Sequence, residues 1–274
     1  MTANTVSTDI SRRPFVPADD LSKLWRAIIE FDMLQPGDRI LIGLSGGKDS
    51  MFLTAALAEI KKYSPIPFEL ACYTVNAMFS PDFPRQQLED FCRSYGLEHY
   101  SDDVNVMEAW QHKGSSPCFT CAYFRRAATN RRALELGFNK IALAHHHDDA
   151  VETFFMNLCT SGQLRTFLPV TPLSRTGLTV LRPLLYYREN EIRQLVDKLA
   201  LQPLKNPCPY DGHTTRQDVK EHIAVLDQRY PEIYEHLAAA MRCSETQELW
   251  PQKLSQKELA NKFRAFWKKK KKQK

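Results

Sequence analysis

The 274-residue sequence predicts an α/β protein: a parallel five-stranded sheet, helices on both faces, and a helical C-terminal extension. Three observations carry that expectation. Short apolar runs alternate with helical stretches of ten to fifteen residues, the pattern of βαβ units. The run ILIGL passes directly into SGGKDS, a glycine-rich turn from strand to helix. Finally, SGGKDS, Asn76 and HHHDD each follow a predicted strand, at the carboxyl ends where open parallel sheets bind ligands.

The elements follow in order. Residues 1–20 are polar and aperiodic, and are expected to be flexible. DLSKLWRAIIEFDML reads as an amphipathic helix, and Pro36-Gly37-Asp38 turns the chain into a first strand over Arg39–Leu44. A helix runs from Asp49 to about Lys62. FELACYTVN (Phe68–Asn76) is the second strand, and Phe83–Gly96 a helix with glycine at its C-terminal end. LEHYSDDV is a short third strand. ALELGFNKIALAHH holds a helix end, its glycine and strand four, and a helix starts at His147. TVLRPLL (Thr179–Leu185) is strand five, followed by helices over RENEIRQLVDKLAL and near 215–229 and 231–242. The domain reading is a sheet domain over 21–213 with an inserted cysteine pair, a helical region over 214–267 and a basic tail over 268–274.

Composition narrows the class. Hydrophobic residues make up 43% and charged residues 25%, values of an ordinary soluble globular protein. No apolar run approaches the roughly 18 residues of a membrane span. The N-terminal stretch has no apolar core of a secretory signal, so a cytoplasmic protein without membrane partners is expected. Of the net charge of +5, six lysines lie in the last seven residues, and without them the body carries −1. That tail, read as disordered, serves either phosphate contacts with RNA or solubility. Seven cysteines, an odd number, argue against a disulfide framework.

SGGKDS is not the phosphate loop of nucleotide triphosphatases. Its first glycine would fall at Ile42, and Asp49 rather than a hydroxyl residue follows Lys48. A glycine-rich turn opening a helix still presents backbone N–H groups to an anion. Cys118 and Cys121 form a C-x-x-C before Arg125, Arg126, Arg131 and Arg132, suited to zinc, an iron–sulfur cluster or a redox dithiol. Cys208, between prolines in NPCPYDGH, reads as a third ligand; Cys72, Cys92, Cys159 and Cys243 read as structural thiols. Asp49 and Asp149 are candidate magnesium ligands. For Asp148 and Asp149 helix capping is an equal alternative, as packing at a strand end is for His145 and His146.

On these residues the chain resembles known enzymes. SGGKDS after a strand resembles the PP-loop of the N-type ATP pyrophosphatases, which cleave ATP between the α- and β-phosphates. The resemblance implies an adenine nucleotide alpha hydrolase-like fold. Ser45, Gly46, Gly47, Lys48, Asp49 and Ser50 would bind ATP together with Asn76, His145 and Asp149, and Lys48 and Asp49 would be catalytic. With the cysteine trio, HHHDDAVETFFMN, and LRPLL followed by YYRE, the stretch from Asp38 to Cys208 is similar to the tRNA-cytidine(32) 2-sulfurtransferases of tRNA 2-thiocytidine biosynthesis. That similarity implies ATP, Mg²⁺ and a [4Fe–4S] cluster held by Cys118, Cys121 and Cys208. It also implies tRNA as substrate and a sulfur donor such as a cysteine desulfurase system, with a homodimer left open. The competing readings are a zinc-containing RNA-binding protein, with His213 completing a Cys₃His set, and a PP-loop sulfurtransferase acting on another base.

Overall fold

The structure, a computed structural model, describes residues 15–106, 108, 117–205, 208, 215–242 and 255–271. The chain divides into two units, Met1–Met241 and Arg242–Lys274. In the first, a 3₁₀ turn over Asp19–Leu21 leads into α1 (Ser22–Glu30). Then follow β1 (Asp38–Gly43), α2 (Lys48–Tyr63), β2 (Phe68–Asn76), α3 (Arg85–Ser94) and β3 (Glu98–Asp103). The chain continues through α4 (Pro117–Glu135), β4 (Lys140–Ala142), α5 (His147–Ser161), β5 (Val170–Pro172) and β6 (Thr179–Leu181). Helices α6 (Glu189–Lys198), α7 (Thr215–Arg229) and α8 (Ile233–Arg242) complete it.

The sheet has six strands in the order β3-β2-β1-β4-β6-β5, one more than the sequence suggested. The additional strand, β5, pairs antiparallel with β6, whereas all other pairings are parallel. Its three residues, VTP, are too few for an alternating pattern, and Pro172 is compatible with an edge position. The strand order reverses at β1, which has β2 on one side and β4 on the other. Such a reversal opens a crevice beyond the strand ends.

Side chains alternate across the sheet. Ile40 and Ile42 enter the larger core with α1, α2, α3 and α6, while Leu41 enters a second core with Ala133, Phe138 and Ile141. Helix α2 is buried from Ser50 through Ile60, so it lacks the polar stripe of a surface helix. Gly96 ends α3 at φ 69°, where the left-handed region favours glycine, as its position predicted. Val16 is fully buried in the larger core, so the packed chain begins before residue 21; the rest of the expected flexible segment, 1–14, lies outside the described residues. In the second unit α9 spans Gln256–Lys271, so the lysines from 268 to 271 are helical rather than a disordered tail. Among the described residues no helix is long and apolar enough to cross a membrane.

One buried ion pair fixes the amino ends of β1 and β4. Lys140 Nζ donates to Asp38 Oδ2 at 2.6 Å and to the Met33 carbonyl at 2.9 Å. Asp38, 3% exposed, also accepts from the Asn139 amide and from the Gln35 backbone N–H. Removing one member of such a pair strands the other charge. Asp38→Ala should therefore cost about 3–5 kcal/mol in chemical denaturation; a loss below about 1 kcal/mol, the worth of an exposed pair, would contradict this account.

Candidate active site

The turn after β1 is stitched by its own serines. Ser45 N–H donates to Ser50 Oγ at 3.1 Å, the two hydroxyls lie 3.0 Å apart, and Ser50 Oγ donates to the Gly47 carbonyl at 2.9 Å. Gly47 is the N-cap of α2 and caps it with no side chain, which leaves the first-turn N–H groups facing the crevice. Gly46, at φ 83°, turns its carbonyl to accept from Leu204 N–H at 2.8 Å. A Cβ there would stand 2.8 Å from Leu204 Cδ1. Leu204, four positions before Cys208, is thus docked on the loop itself.

Lys48 projects from this turn into a carboxylate pair. Its Nζ lies 3.1 Å from Asp49 Oδ2 and 3.1 Å from Glu189 Oε1 at the start of α6. Burial works to lower the Lys48 pKa, but the two carboxylates outweigh it and raise it. Glu189 also pairs with Lys220 of α7. Burial alone would push the Glu189 carboxyl up; Lys220 and Lys48 hold it down at about 2. Asp49 Oδ1 is buried and has no hydrogen-bond partner, and a carboxylate oxygen of this kind suits a hard cation.

HHHDD follows β4 at the same crevice. His146 is the N-cap of α5 and forms a capping box with Asp149, whose Oδ2 accepts from His146 N–H at 3.0 Å. Asp149 Oδ1 accepts from Arg216 at 3.0 Å, so both its oxygens are engaged. Asp148 instead accepts from Arg188 Nε at 3.1 Å and from Glu189 N–H at 2.9 Å, tying α5 to α6. Capping is thus observed for Asp149, although its carboxylate remains beside the phosphate loop: His146 Nε2 is 3.9 Å from Asp49 Oδ1 and 3.6 Å from Asp149 Oδ2. Asn76 is used elsewhere. Its amide donates to Asp103 Oδ1 at 2.8 Å and its oxygen accepts from Met78 N–H at 3.0 Å, closing the ends of β2 and β3.

A cavity of about 750 Å³ runs across these strand ends. Ser45, Asp49 and Ser50 border it, Tyr73, Val75, Ile141 and Leu143 form an apolar floor, and Arg125, Arg126, Arg182 and Arg216 reach it. That volume suits a nucleotide-sized ligand. The four guanidinium groups make it electropositive, as an anionic substrate requires. His145 lines it too, and its Nδ1 is buried without a partner. Burial, opposed by Asp149 but reinforced by Arg182, Arg216 and His146, brings the His145 pKa down to about 4.

The C-x-x-C lies in the first turns of α4, with Cys118 exposed and Cys121 half-buried. Burial pushes the Cys121 thiol up, Arg125 opposes this by charge and hydrogen bond, and Cys208 and Cys118 push it up further. Cys208, 87 positions beyond Cys121, is therefore within electrostatic range of it. Among the described residues no three His, Cys, Asp or Glu side chains are drawn together as a metal-holding group. The donor chemistry nonetheless fits a soft centre: three thiols and an adjacent arginine that favours thiolate. Cys72 and Cys92 are buried free thiols, and a hydrogen bond between them together with burial drives the Cys72 pKa well up. Cys159 is exposed on α5; Cys243 and His213 lie outside the described residues.

Sequence reasoning missed Glu189, Lys220, Arg182 and Arg216 as site residues. Glu189 and Arg182 do sit in the stretches YYRE and LRPLL, already singled out, whereas Lys220 and Arg216 carry no local signal.

Comparison with known proteins bears on the whole arrangement. A PP-loop domain model matches residues 20–225. A tRNA-cytidine(32) 2-sulfurtransferase of Ralstonia pickettii is 32% identical over 225 residues, covering 81% of this chain and 71% of that protein. Its counterpart in Dechloromonas aromatica is 34% identical over 221 residues, covering 79% and 77%. Among solved structures, the U34-tRNA thiolase NcsA from Methanococcus maripaludis, with its [4Fe-4S] cluster, aligns over 80% of this chain and 76% of its own. Its TM-score of 0.62 at 23% identity establishes a shared fold.

The lowered pKa of Glu189 makes a prediction with a definite sign. A carboxyl held at about 2 against an ordinary 4.5 stabilises the fold above pH 4.5, and that contribution fades as pH falls toward 2. Glu189→Gln should lower stability at pH 7 by about 1.5–3 kcal/mol, the worth of a hydrogen bond to a charged group. The gap from the unmodified protein should close across that acid window in denaturation series. A gap that does not change with pH would remove Glu189 from its ionised role.

Proposed function

Because the chain belongs to the tRNA-cytidine(32) 2-sulfurtransferases, a family of PP-loop enzymes, we propose that it adenylylates the C2 oxygen of a tRNA cytidine and replaces that oxygen with sulfur. The cytosine C2 oxygen is a poor leaving group. Its attack on the α-phosphorus of ATP forms an O–P bond and expels pyrophosphate. A sulfide-level nucleophile then adds to C2, the C2–O bond breaks, and the oxygen departs in AMP. Lys48 and the uncapped N–H groups of α2 neutralise charge on the departing pyrophosphate, and each such donor is commonly worth a few kcal/mol. Asp49, with its unpartnered oxygen, would hold Mg²⁺. Arg125 and Arg126 face the same cavity and offer contacts to tRNA phosphate.

Cys118, Cys121 and Cys208 would hold a [4Fe–4S] cluster, which when bound supplies sulfur chemistry at an iron without a protein ligand. The observation that carries this reading is convergence. One cavity joins the phosphate loop to the helix bearing the C-x-x-C, and Leu204, four positions before Cys208, hydrogen-bonds to Gly46 of that loop.

Two experiments test it. Lys48→Ala should abolish pyrophosphate release while leaving iron content unchanged; retained release would sink the phosphate-loop assignment. Cys118→Ala, Cys121→Ala and Cys208→Ala, purified anaerobically, should each lose iron, visible absorption and tRNA thiolation, whereas Cys72→Ala and Cys159→Ala keep them. A colourless, zinc-containing protein would favour the RNA-binding alternative.

A further inference from the structure

Among the residues that line the cavity, two carry buried polar atoms with nothing to bond. Arg182 follows β6, and its Nε is buried without an acceptor; His145 follows β4, and its Nδ1 is buried without a partner. Both residues line the cavity, and one aromatic ring serves both. The Arg182 guanidinium lies 4.9 Å from the Phe167 ring centroid, and the His145 ring lies 5.1 Å from it. Arg182 cannot swing away to find a partner. Its NH1 donates to the Leu168 carbonyl at 2.6 Å and to Thr171 Oγ1 at 2.9 Å. Buried polar atoms without partners call for an explanation, and two beside one ring in one cavity fit a site that a ligand completes.

The pair has a readable pattern. Arginine Nε–H can only donate, and a neutral imidazole nitrogen can accept. We propose that this corner reads the N=C–NH₂ edge of an aminopyrimidine ring, Arg182 Nε–H donating to the ring nitrogen and His145 Nδ1 accepting from the amino group. Cytosine presents that edge at N3 and N4, and adenine presents it at N1 and N6. Uracil presents the reverse, a donor at N3 and an acceptor at O4, and would face Arg182 and His145 with mismatched groups. The occupant is the cytosine to be modified. This assignment rests on the thiolation reading above: with N3 and N4 engaged, the adjacent O2 remains free for the activated phosphate. Arg182 and His145 thereby become the residues that choose the base, a task the phosphate loop and the cysteines leave open.

The test uses an RNA stem–loop carrying cytidine, uridine or the 4-deoxy analogue 2-pyrimidinone at the target position, with binding read by fluorescence anisotropy without ATP. The intact protein should bind cytidine best and lose affinity for both substitutes, uridine the more. Arg182→Met should flatten the preference for cytidine over uridine, and His145→Phe should make the protein indifferent to removal of the amino group. Thiolation of the cytidine RNA by Arg182→Met should fall roughly 10- to 10²-fold in kcat/KM, the loss of one hydrogen bond from a charged donor. Thermal unfolding midpoints close to that of the unmodified protein certify that the variants fold. Lost ATP affinity with the cytidine preference intact would hand the corner to adenine and overturn the assignment. Equal binding of the three RNAs by the intact protein would overturn it without recourse to any variant. A protein that prefers cytidine yet makes no thionucleoside would instead sink the proposed function and leave the pocket standing.

Discussion

Strand β1 is hydrogen-bonded on both edges by parallel neighbours, and this double pairing sets where every reactive group can stand. A parallel strand must end in a crossover, so the chain leaves the sheet where β1 stops and enters a helix. Because β2 and β4 flank β1 on opposite sides, the loops after β1 and β4 border the same crevice. The phosphate loop and the HHHDD segment are brought together by topology before any side chain acts. The Asp38–Lys140 pair then pins the opposite ends of the same two strands.

Charge relays that geometry outward. Lys48 meets Glu189 and Glu189 meets Lys220, while Asp148 receives Arg188 and the first N–H of α6. Arg188 continues to Glu235 and lies 3.9 Å from the Tyr234 ring centroid on α8. The lysine of the phosphate loop is therefore positioned by helices far along the chain. Burial and ion pairing compete at each of these groups, and at Glu189 the pairing wins.

How much of this could be read beforehand follows from what is local. The second strand, Phe68–Asn76, was legible to the residue because apolar β-formers lie between clear turns. SGGKDS and the C-x-x-C were legible because their chemistry is packed into a few positions. The antiparallel β5 was not, since three residues without alternation carry no period. The terminal lysines looked disordered because like charges repel. Yet KELANKFRAFW before them is a good helix former, and propagation beyond an existing nucleus is inexpensive. Glu189, Lys220 and Arg216 resembled solvated surface charges, and only their long-range partners reveal them.

The bond between Leu204 N–H and the Gly46 carbonyl has a further consequence. Cys208 lies four positions beyond Leu204, and a chain spans at most roughly 3.6 Å per residue, so the tether is no longer than about 14 Å. Whatever path the intervening residues take, the sulfur of Cys208 is leashed to the peptide that turns around the phosphate. Confinement to so small a volume gives Cys208 a high effective concentration beside that loop. A thiol on a long free arm would spend most of its time elsewhere in solution; this one has nowhere else to be.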